Sequence, residues 1–235
     1  MNSEKNSKKN VKKSKKTPLF HNFCYDFVKI TGAPAALIWM RPKIHYPFGR
    51  PSKKGGFMVI SNHPTFVDPI VVHLAFPFRR MYSVATKDLC ATPLRRMFFK
   101  IAHCIIVDKE NFSLSSFHEV VGRLEQGKVV VIFPEGRVNR EADSEPLLAF
   151  KSGAVLMAHR ASAPILPMFI VKNDKWYKRQ HIVMGQPLDI ASIMGKMPTM
   201  EEMNKVTDLL REKEEELKEY YESQILKNHL IKHKL

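Results

Sequence analysis

A histidine and an aspartate five residues apart, His63 and Asp68, are the side chains best suited to acid–base chemistry in this sequence. An imidazole that removes a proton from an alcohol needs a carboxylate on its other ring nitrogen, to fix the tautomer and stabilise the imidazolium. A second segment, Phe-Pro-Glu-Gly-Arg at 133–137, also follows an apolar run. Together the two segments predict transfer of an acyl group to a hydroxyl.

The same histidine-to-aspartate spacing occurs twice more, so spacing alone cannot identify the pair. His103 and Asp108 enclose a run typical of a buried strand, where an odd offset sends two side chains to opposite faces. His21 and Asp26 lie just beyond a lysine-rich tail, with no strand before them to hold either group. Context therefore favours His63.

The residues around His63 predict how it is positioned. Residues 57–60 are an apolar run typical of a buried strand, and Pro64 is of the type favoured at the first position of a helix. We therefore predict a helix over residues 64–75 with His63 at its cap and its imidazole folded back toward Asp68. The first turn of that helix is one possible source of N–H donors for a developing oxyanion.

These residues resemble a known family, the glycerolipid acyltransferases that act as 1-acyl-sn-glycerol-3-phosphate acyltransferases. Their first motif, Asn-His-x-x-x-x-Asp, is matched in full by Asn62, His63 and Asp68. The resemblance implies that His63 is the catalytic base and Asp68 its partner, and it spans about residues 58–185.

The second and third family motifs are matched with departures. The third motif, Phe-Pro-Glu-Gly-Thr-Arg, is matched through Glu135 and Gly136, but Arg137 stands where threonine is usual and Val138 where arginine is usual. The second motif normally ends in arginine, and here Lys109 occupies that position. Lysine can hold a phosphate as a point charge but lacks the bidentate fork of arginine.

The fourth motif is an apolar strand with a central proline, matched by Pro167 within residues 164–168. Residues 150–154, which include Lys151, resemble the segment that usually follows the third motif. On the resemblance, Arg137, Lys109 and Lys151 would gather the acceptor's phosphate. The expected substrate-binding residues are Asn62, Lys109, Glu135, Gly136, Arg137, Lys151 and Pro167.

The resemblance also implies the reactants. The donor would be an acyl thioester, acyl-CoA or acyl-ACP, and the acceptor a lysophospholipid with a free hydroxyl, without a metal or other cofactor. No protein nucleophile is required, and the sequence has no Gly-x-Ser-x-Gly segment. The altered motifs keep a sibling reaction open, with another lysophospholipid, an acylated amino acid or glycerol 3-phosphate as acceptor.

Charge points to an anionic partner. The chain of 235 residues has a formal net charge of +15, and its first eighteen residues hold seven lysines against one glutamate. Such an excess suits an anionic membrane surface, and equally nucleic acid. A non-catalytic basic protein that coats membranes or nucleic acid is therefore an alternative. No recognisable nucleic-acid module accompanies the charge, so we expect no nucleic-acid partner, and the intact His63 and Asp68 argue against the alternative.

Residues 27–40 form an apolar run that ends in cations. The run is shorter than the roughly twenty apolar residues that cross a bilayer, and it contains Lys29. It predicts an interfacial anchor, with a core-packed helix as the alternative. Three cysteines without metal-like spacing and the absence of a signal-peptide pattern indicate a reducing compartment. We expect a peripheral or monotopic enzyme on the cytoplasmic face of the cell membrane.

The remaining pattern alternates strands and helices, which predicts a single α/β domain with a mixed or mostly parallel sheet flanked by helices. Thr199 opens a capping box before a long charged helix. We divide the chain into a basic tail (1–18), a membrane-associating segment (19–45), the acyltransferase domain (46–198) and the charged helix (199–235). The predicted strands are 57–60, 81–87, 104–107, 129–133, 165–171 and 181–185, and the predicted helices are 64–75, 93–101, 113–126 and 147–160.

Overall fold

The computed structural model describes residues 17–52, 54–108, 113–141, 147–173 and 179–226. Three sequence predictions lie wholly or partly outside these residues. They are most of the basic tail, the last nine residues of the charged helix predicted over 199–235, and the proposed phosphate ligand Lys109.

The described residues form one seven-stranded sheet in the order β1-β7-β6-β2-β5-β3-β4. Neighbouring strands are parallel except β6 and β7, which are antiparallel. The mostly parallel α/β sheet predicted from the alternating pattern is therefore confirmed. The strands are β1 (Lys43–His45), β2 (Phe57–Ser61), β3 (Met81–Thr86), β4 (Cys104–Val107), β5 (Val129–Ile132), β6 (Ile165–Ile170) and β7 (His181–Met184).

Helices cover both faces of the sheet. Alternate side chains of β2 point to opposite faces, so Met58 packs with α4, α5 and α6, whereas Phe57 packs with α1 and α2. The sheet centre is thus buried on both sides, as expected for a parallel sheet. The helices are α1 (Leu19–Met40), α2 (Asp68–Ala75), α3 (Pro93–Ile101), α4 (Leu114–Glu125), α5 (Gly153–Arg160) and α6 (Met200–Tyr220), with short 3₁₀ turns at Lys87–Cys90 and Ile190–Ser192 and a π-helical end at Tyr221–Leu226.

The predicted strands agree with the observed ones to within about one residue, and the capping box at Thr199 is present, since its side chain accepts from the Glu202 N–H. Strand β1 was not predicted because it is only three residues long. Helix α5 begins at Gly153 rather than at residue 147.

The prediction that a helix begins at Pro64 was wrong. Helix α2 begins at Asp68, with Val67 at its cap and Pro69 in its first turn. Residues 64–67 form a turn instead, because the Thr65 N–H and hydroxyl donate to the Asp68 carboxylate. His63 therefore lies in a loop and not at a helix cap, and the predicted N–H donors of a first turn at Pro64 do not exist in that form.

Helix α1 docks on the domain along one side only. The Tyr25 hydroxyl accepts from the Met81 N–H at 3.2 Å, and Lys29 Nζ donates to the Phe76 carbonyl at 3.0 Å, near the end of α2. Only Tyr25 and Met40 of α1 are buried. The exposed apolar side chains of this helix are Leu19, Phe20, Phe23, Phe27, Val28, Ile30, Leu37, Ile38 and Trp39.

No helix among the described residues combines the length and apolar character needed to cross a membrane.

Candidate active site

The site lies at the carboxyl ends of the central strands, where ligands bind in open α/β sheets. Asn62 follows β2 and fixes this edge. Its amide Nδ2 donates to the Ile170 carbonyl at 2.9 Å, and its Oδ1 accepts from the Ile170 N–H at 2.7 Å. Asn62 is buried, and both ends of its amide are used in this clamp between the ends of β2 and β6. The residue before the catalytic candidate is therefore held rigidly.

His63 and Asp68 are joined directly. His63 Nδ1 lies 2.8 Å from Asp68 Oδ2, and the side chains are 15% and 1% exposed. The same carboxylate accepts from the Thr65 N–H at 2.7 Å and from its hydroxyl. Because a carboxylate accepts hydrogen bonds, Nδ1 carries the proton and Nε2 is left as the basic nitrogen. This arrangement suits general base catalysis.

The loop after β5 packs against His63. The Phe133 ring stacks on the imidazole with centroids 4.1 Å apart, and the Asn139 N–H donates to the His63 carbonyl at 2.7 Å. The two segments singled out in the sequence, 61–68 and 133–137, therefore meet.

Gly136 makes a close approach between this loop and Lys151. Its φ is +70°, and a Cβ at this position would lie 3.1 Å from Lys151 Nζ. The Lys151 N–H donates to the Pro134 carbonyl at 3.1 Å, which ties the two segments together. The positive φ favours glycine here, and any larger residue would also require the Lys151 side chain to shift by a few tenths of an ångström.

A groove of about 1710 Å³ opens beside His63. Helices α1 and α3 contribute Val28, Ala33, Phe98 and Phe99 to its walls, so much of the lining is apolar. Its charged lining has more cations than anions: Lys29, Arg137, Arg140 and Lys151 against the carboxylates Asp108 and Glu141. The groove thus offers a base, positive charge and apolar wall in one space, which suits an anionic amphiphile.

Arg140 was missed by the sequence reasoning. It lies three residues beyond Arg137 in the loop that packs against His63, so proximity in sequence to the third motif was the available signal.

Glu135 is buried behind the groove and does not line it. Burial raises the pKa of this carboxyl to about 7, and nearby N–H groups of Leu148 and His63 partly offset the rise without reaching hydrogen-bond geometry.

A second buried carboxyl, Glu214 of α6, is a near neighbour of Glu135. It is fully buried, and neither of its oxygens has a hydrogen-bond partner among the described residues. Burial, and then the neighbouring Glu135 carboxylate, raise its pKa well above the ordinary value. The available signal was a glutamate set in the apolar stripe between Leu210 and Leu217.

The structure places the predicted substrate-binding residues in two groups. Gly136, Arg137 and Lys151 line the groove, whereas Asn62, Glu135 and Pro167 do not. Pro167 is buried within β6, where its carbonyl accepts from the Gly185 N–H at 3.0 Å. No cluster of three or more histidine, cysteine, aspartate or glutamate side chains suited to a metal occurs in the described part of the chain.

Comparison with known proteins agrees with this geometry. The family model described as Acyltransferase matches residues 42–171, more than half of the chain. A Bacillus subtilis protein named 1-acyl-sn-glycerol-3-phosphate acyltransferase is 28% identical over 167 residues, covering 69% of this chain and 81% of that protein. A protein of the same name from Limnanthes douglasii is 30% identical over 135 residues, and the match covers 56% of this chain but only 47% of that protein.

A solved structure has the same fold. It is the 1-acyl-sn-glycerophosphate (LPA) acyltransferase PlsC from Thermotoga maritima, with a TM-score of 0.59 and 19% sequence identity, covering 84% of this chain and 81% of that one.

Proposed function

This chain belongs to the acyltransferase family, and from that premise we propose that it transfers a fatty acyl group from an acyl thioester to the free hydroxyl of 1-acyl-glycerol 3-phosphate, giving phosphatidic acid. The observation that carries the proposal is the His63–Asp68 pair, joined at 2.8 Å beside a groove with apolar walls and four cations. The names of the relatives support the choice of acceptor.

The reaction needs one base and no protein nucleophile. His63 Nε2 takes the proton of the acceptor hydroxyl as its oxygen bonds to the thioester carbonyl carbon. Asp68 keeps the ring in the required tautomer and offsets the positive charge that develops on it. When the carbon–sulfur bond breaks, the imidazolium returns the proton to the thiolate leaving group, so the enzyme ends each cycle unchanged.

The acceptor phosphate would be held by the groove cations. Arg137 takes the part that the usual third motif gives to an arginine one position later, and Lys151 and Arg140 lie on the same groove. An arginine there can bind two phosphate oxygens at once, which fixes orientation as well as charge. Lys109 remains a predicted further ligand.

The apolar length of the groove supports binding of acyl chains. Its walls include α1 and α3, so a chain that enters past His63 would lie against apolar side chains of these helices. Either acyl-CoA or acyl carrier protein would serve as donor, because both present the same thioester.

Helix α1 supports a location on an anionic membrane surface. It docks through Tyr25 and Lys29 while its exposed apolar residues, such as Phe20 and Ile30, have no cover from the domain. Amphipathic helices of this kind lie in the headgroup region. A position on the cytoplasmic face remains a prediction from the sequence.

The test is to incubate the purified full chain with detergent-dispersed lysolipids and a labelled acyl thioester, and to identify products by mass. Phosphatidic acid formed from lysophosphatidic acid, and absent with the His63→Asn enzyme, is the expected result. A different acylated product would select a sibling acceptor, the possibility raised by Arg137 and Val138. Absence of any acylated product would support the alternative of a non-catalytic basic protein that binds membranes.

A further inference from the structure

Helix α3 carries an apolar face that the domain does not cover. Apolar residues recur at positions 94, 97, 98 and 101, a spacing that places them on one side of the helix. In a globular domain that side normally packs on the core. Here no residue of α3 is buried, and Leu94, Met97 and Phe98 are 72%, 55% and 60% exposed.

The other sides of α3 are cationic. Arg95, Arg96 and Lys100 are exposed, and no carboxylate within the described residues pairs with any of them. A short helix with an outward apolar stripe and exposed cations beside it has the composition of a segment that lies in the headgroup region of an anionic bilayer.

The position of α3 adds to this argument. It packs against α1, and both helices line the groove that contains His63. Phe66, 76% exposed, lies on the same groove. Exposed apolar groups scattered singly need no explanation, but these are gathered around one opening.

We propose that α3 is a second membrane contact, which inserts Leu94, Met97 and Phe98 among anionic phospholipids and, together with α1, holds the mouth of the groove against the bilayer. The proposal rests on the proposed function, because a lipid acceptor must reach His63 from a membrane. Its consequence is that the acceptor enters the groove without crossing water.

The experiment measures binding of the full chain to phosphatidylcholine vesicles, with and without phosphatidylglycerol, by flotation. Two double variants are compared with wild type, Leu94→Gln/Met97→Gln and Arg95→Gln/Arg96→Gln. The matched control is Met197→Gln, an apolar residue that is 92% exposed and lies outside both helices and the groove.

The arginine variant should bind anionic vesicles up to about 30-fold more weakly, at about 1 kcal/mol for each charge, and neutral vesicles as wild type does. The Leu94/Met97 variant should bind both vesicles about tenfold more weakly, because apolar area no longer enters the lipid. The control should match wild type. None of the four substituted α3 side chains lines the groove, so acyl transfer to detergent-dispersed acceptor should be retained.

Vesicle binding by both α3 variants equal to that of the control would overturn the proposal. Light scattering would measure the oligomeric state of the same variants. If the α3 substitutions changed the oligomeric state and left vesicle binding unchanged, the proposal would also be overturned, because α3 would then contact a second copy of the chain. Loss of acyl transfer in detergent by wild type would count against the proposed function alone, since vesicle binding is read independently of turnover.

Discussion

Two segments of this chain have the same histidine-to-aspartate spacing, but only one of them brings the two side chains into contact. His63 and Asp68 lie in a turn between β2 and α2, where they are bonded at 2.8 Å and open to a groove. His103 and Asp108 lie at the two ends of β4, where the extended backbone separates them. Spacing alone therefore carries little information, and the backbone between the two residues determines whether they meet.

The environment of His103 is that of a core residue. Its ring lies between Tyr25 and Tyr82, with centroids 4.2 and 4.8 Å away and nearly parallel planes. Neither ring nitrogen has a hydrogen-bond partner among the described residues, and burial lowers its pKa to about 4. Asp108 instead lies 3.6 Å from Lys87 Nζ. His103 thus contributes packing, and no group in the described part of the chain orients it as a base.

The largest expected difference between the two segments is in catalysis. His63→Asn should lower kcat by about 10²–10⁴-fold, because the reaction loses its general base. His103→Asn should leave kcat within about tenfold of wild type, because no reacting group contacts it. Asparagine is chosen since residue 103 has a φ of +57°, a conformation that asparagine tolerates. Steady-state acyl transfer measures both, and undiminished turnover by His63→Asn would falsify the assignment of the base.

The partner aspartates should differ in the same direction. Asp68→Asn keeps the shape of the side chain but can donate to Nδ1, which stabilises the wrong tautomer, so kcat should fall by about 10²-fold or more. Asp108→Asn, on the wall of the groove, weakens an ion pair with the exposed Lys87 but leaves the tautomer of His63 unchanged, so kcat should fall far less than in Asp68→Asn. Circular dichroism would verify that both variants fold. Equal losses in the two variants would contradict a specific role for Asp68.

The sequence predicted much of this comparison, and its failures have physical causes. The strand at 104–107 and the odd offset across it were enough to set His103 apart from Asp108. The helix start at Pro64 was wrong, because a side-chain-to-backbone turn closed by Thr65 and Asp68 competed with the proline signal. Such local bonds depend on the rotamer of one carboxylate, which residue types do not specify.

The buried residues of the site were the harder part. Glu135 was predicted as a substrate-binding residue from its motif, and its burial away from the groove follows from how the loop after β5 folds back. Glu214 comes from a helix 79 residues later in the chain and joins it only through tertiary packing. No local pattern brings such carboxyls together.

The ionisation of His103 should appear in acid stability. Its pKa is near 4 in the folded state and near 6.5 in the unfolded chain, so the unfolded state binds a proton more readily. The resulting stability is present above pH 6.5 and is lost as pH falls toward 4, by about 3 kcal/mol over that range. The difference in unfolding free energy between wild type and His103→Asn should shrink accordingly on acidification. Urea titrations at several pH values measure it, and parallel curves would contradict the assigned burial.

Glu135 should show the opposite pH dependence. Its pKa is about 7 when folded, against 4.5 for an ordinary glutamate, so the folded state holds the proton more tightly. The contribution of Glu135 to the free energy of unfolding is greatest below pH 4.5, and about 3 kcal/mol of it is lost as pH rises through 7. Glu135→Gln should therefore flatten the decline on the neutral side. Glu214→Gln should act in the same direction. Denaturant titrations between pH 5 and pH 8 measure the unfolding free energy, and if it falls with pH as steeply in both variants as in wild type, the two buried carboxyls are not the cause of the decline.

The smallest expected effect comes from the turn that distinguishes the two segments. Thr65→Ala removes the hydroxyl that donates to Asp68 while the Thr65 N–H and the His63 bond to the same carboxylate remain. A hydrogen bond to a charged group contributes about 1.5–3 kcal/mol, and the remaining donors offset part of the loss, so kcat should fall about tenfold. Thr65→Ser restores the hydroxyl and should recover most of the activity. Thr65→Val keeps the side-chain volume but lacks the hydroxyl, so recovery of activity in the serine enzyme and not in the valine enzyme would show that the hydrogen bond holds Asp68 in place. Equal activity in the alanine and serine enzymes would show instead that the backbone N–H is sufficient.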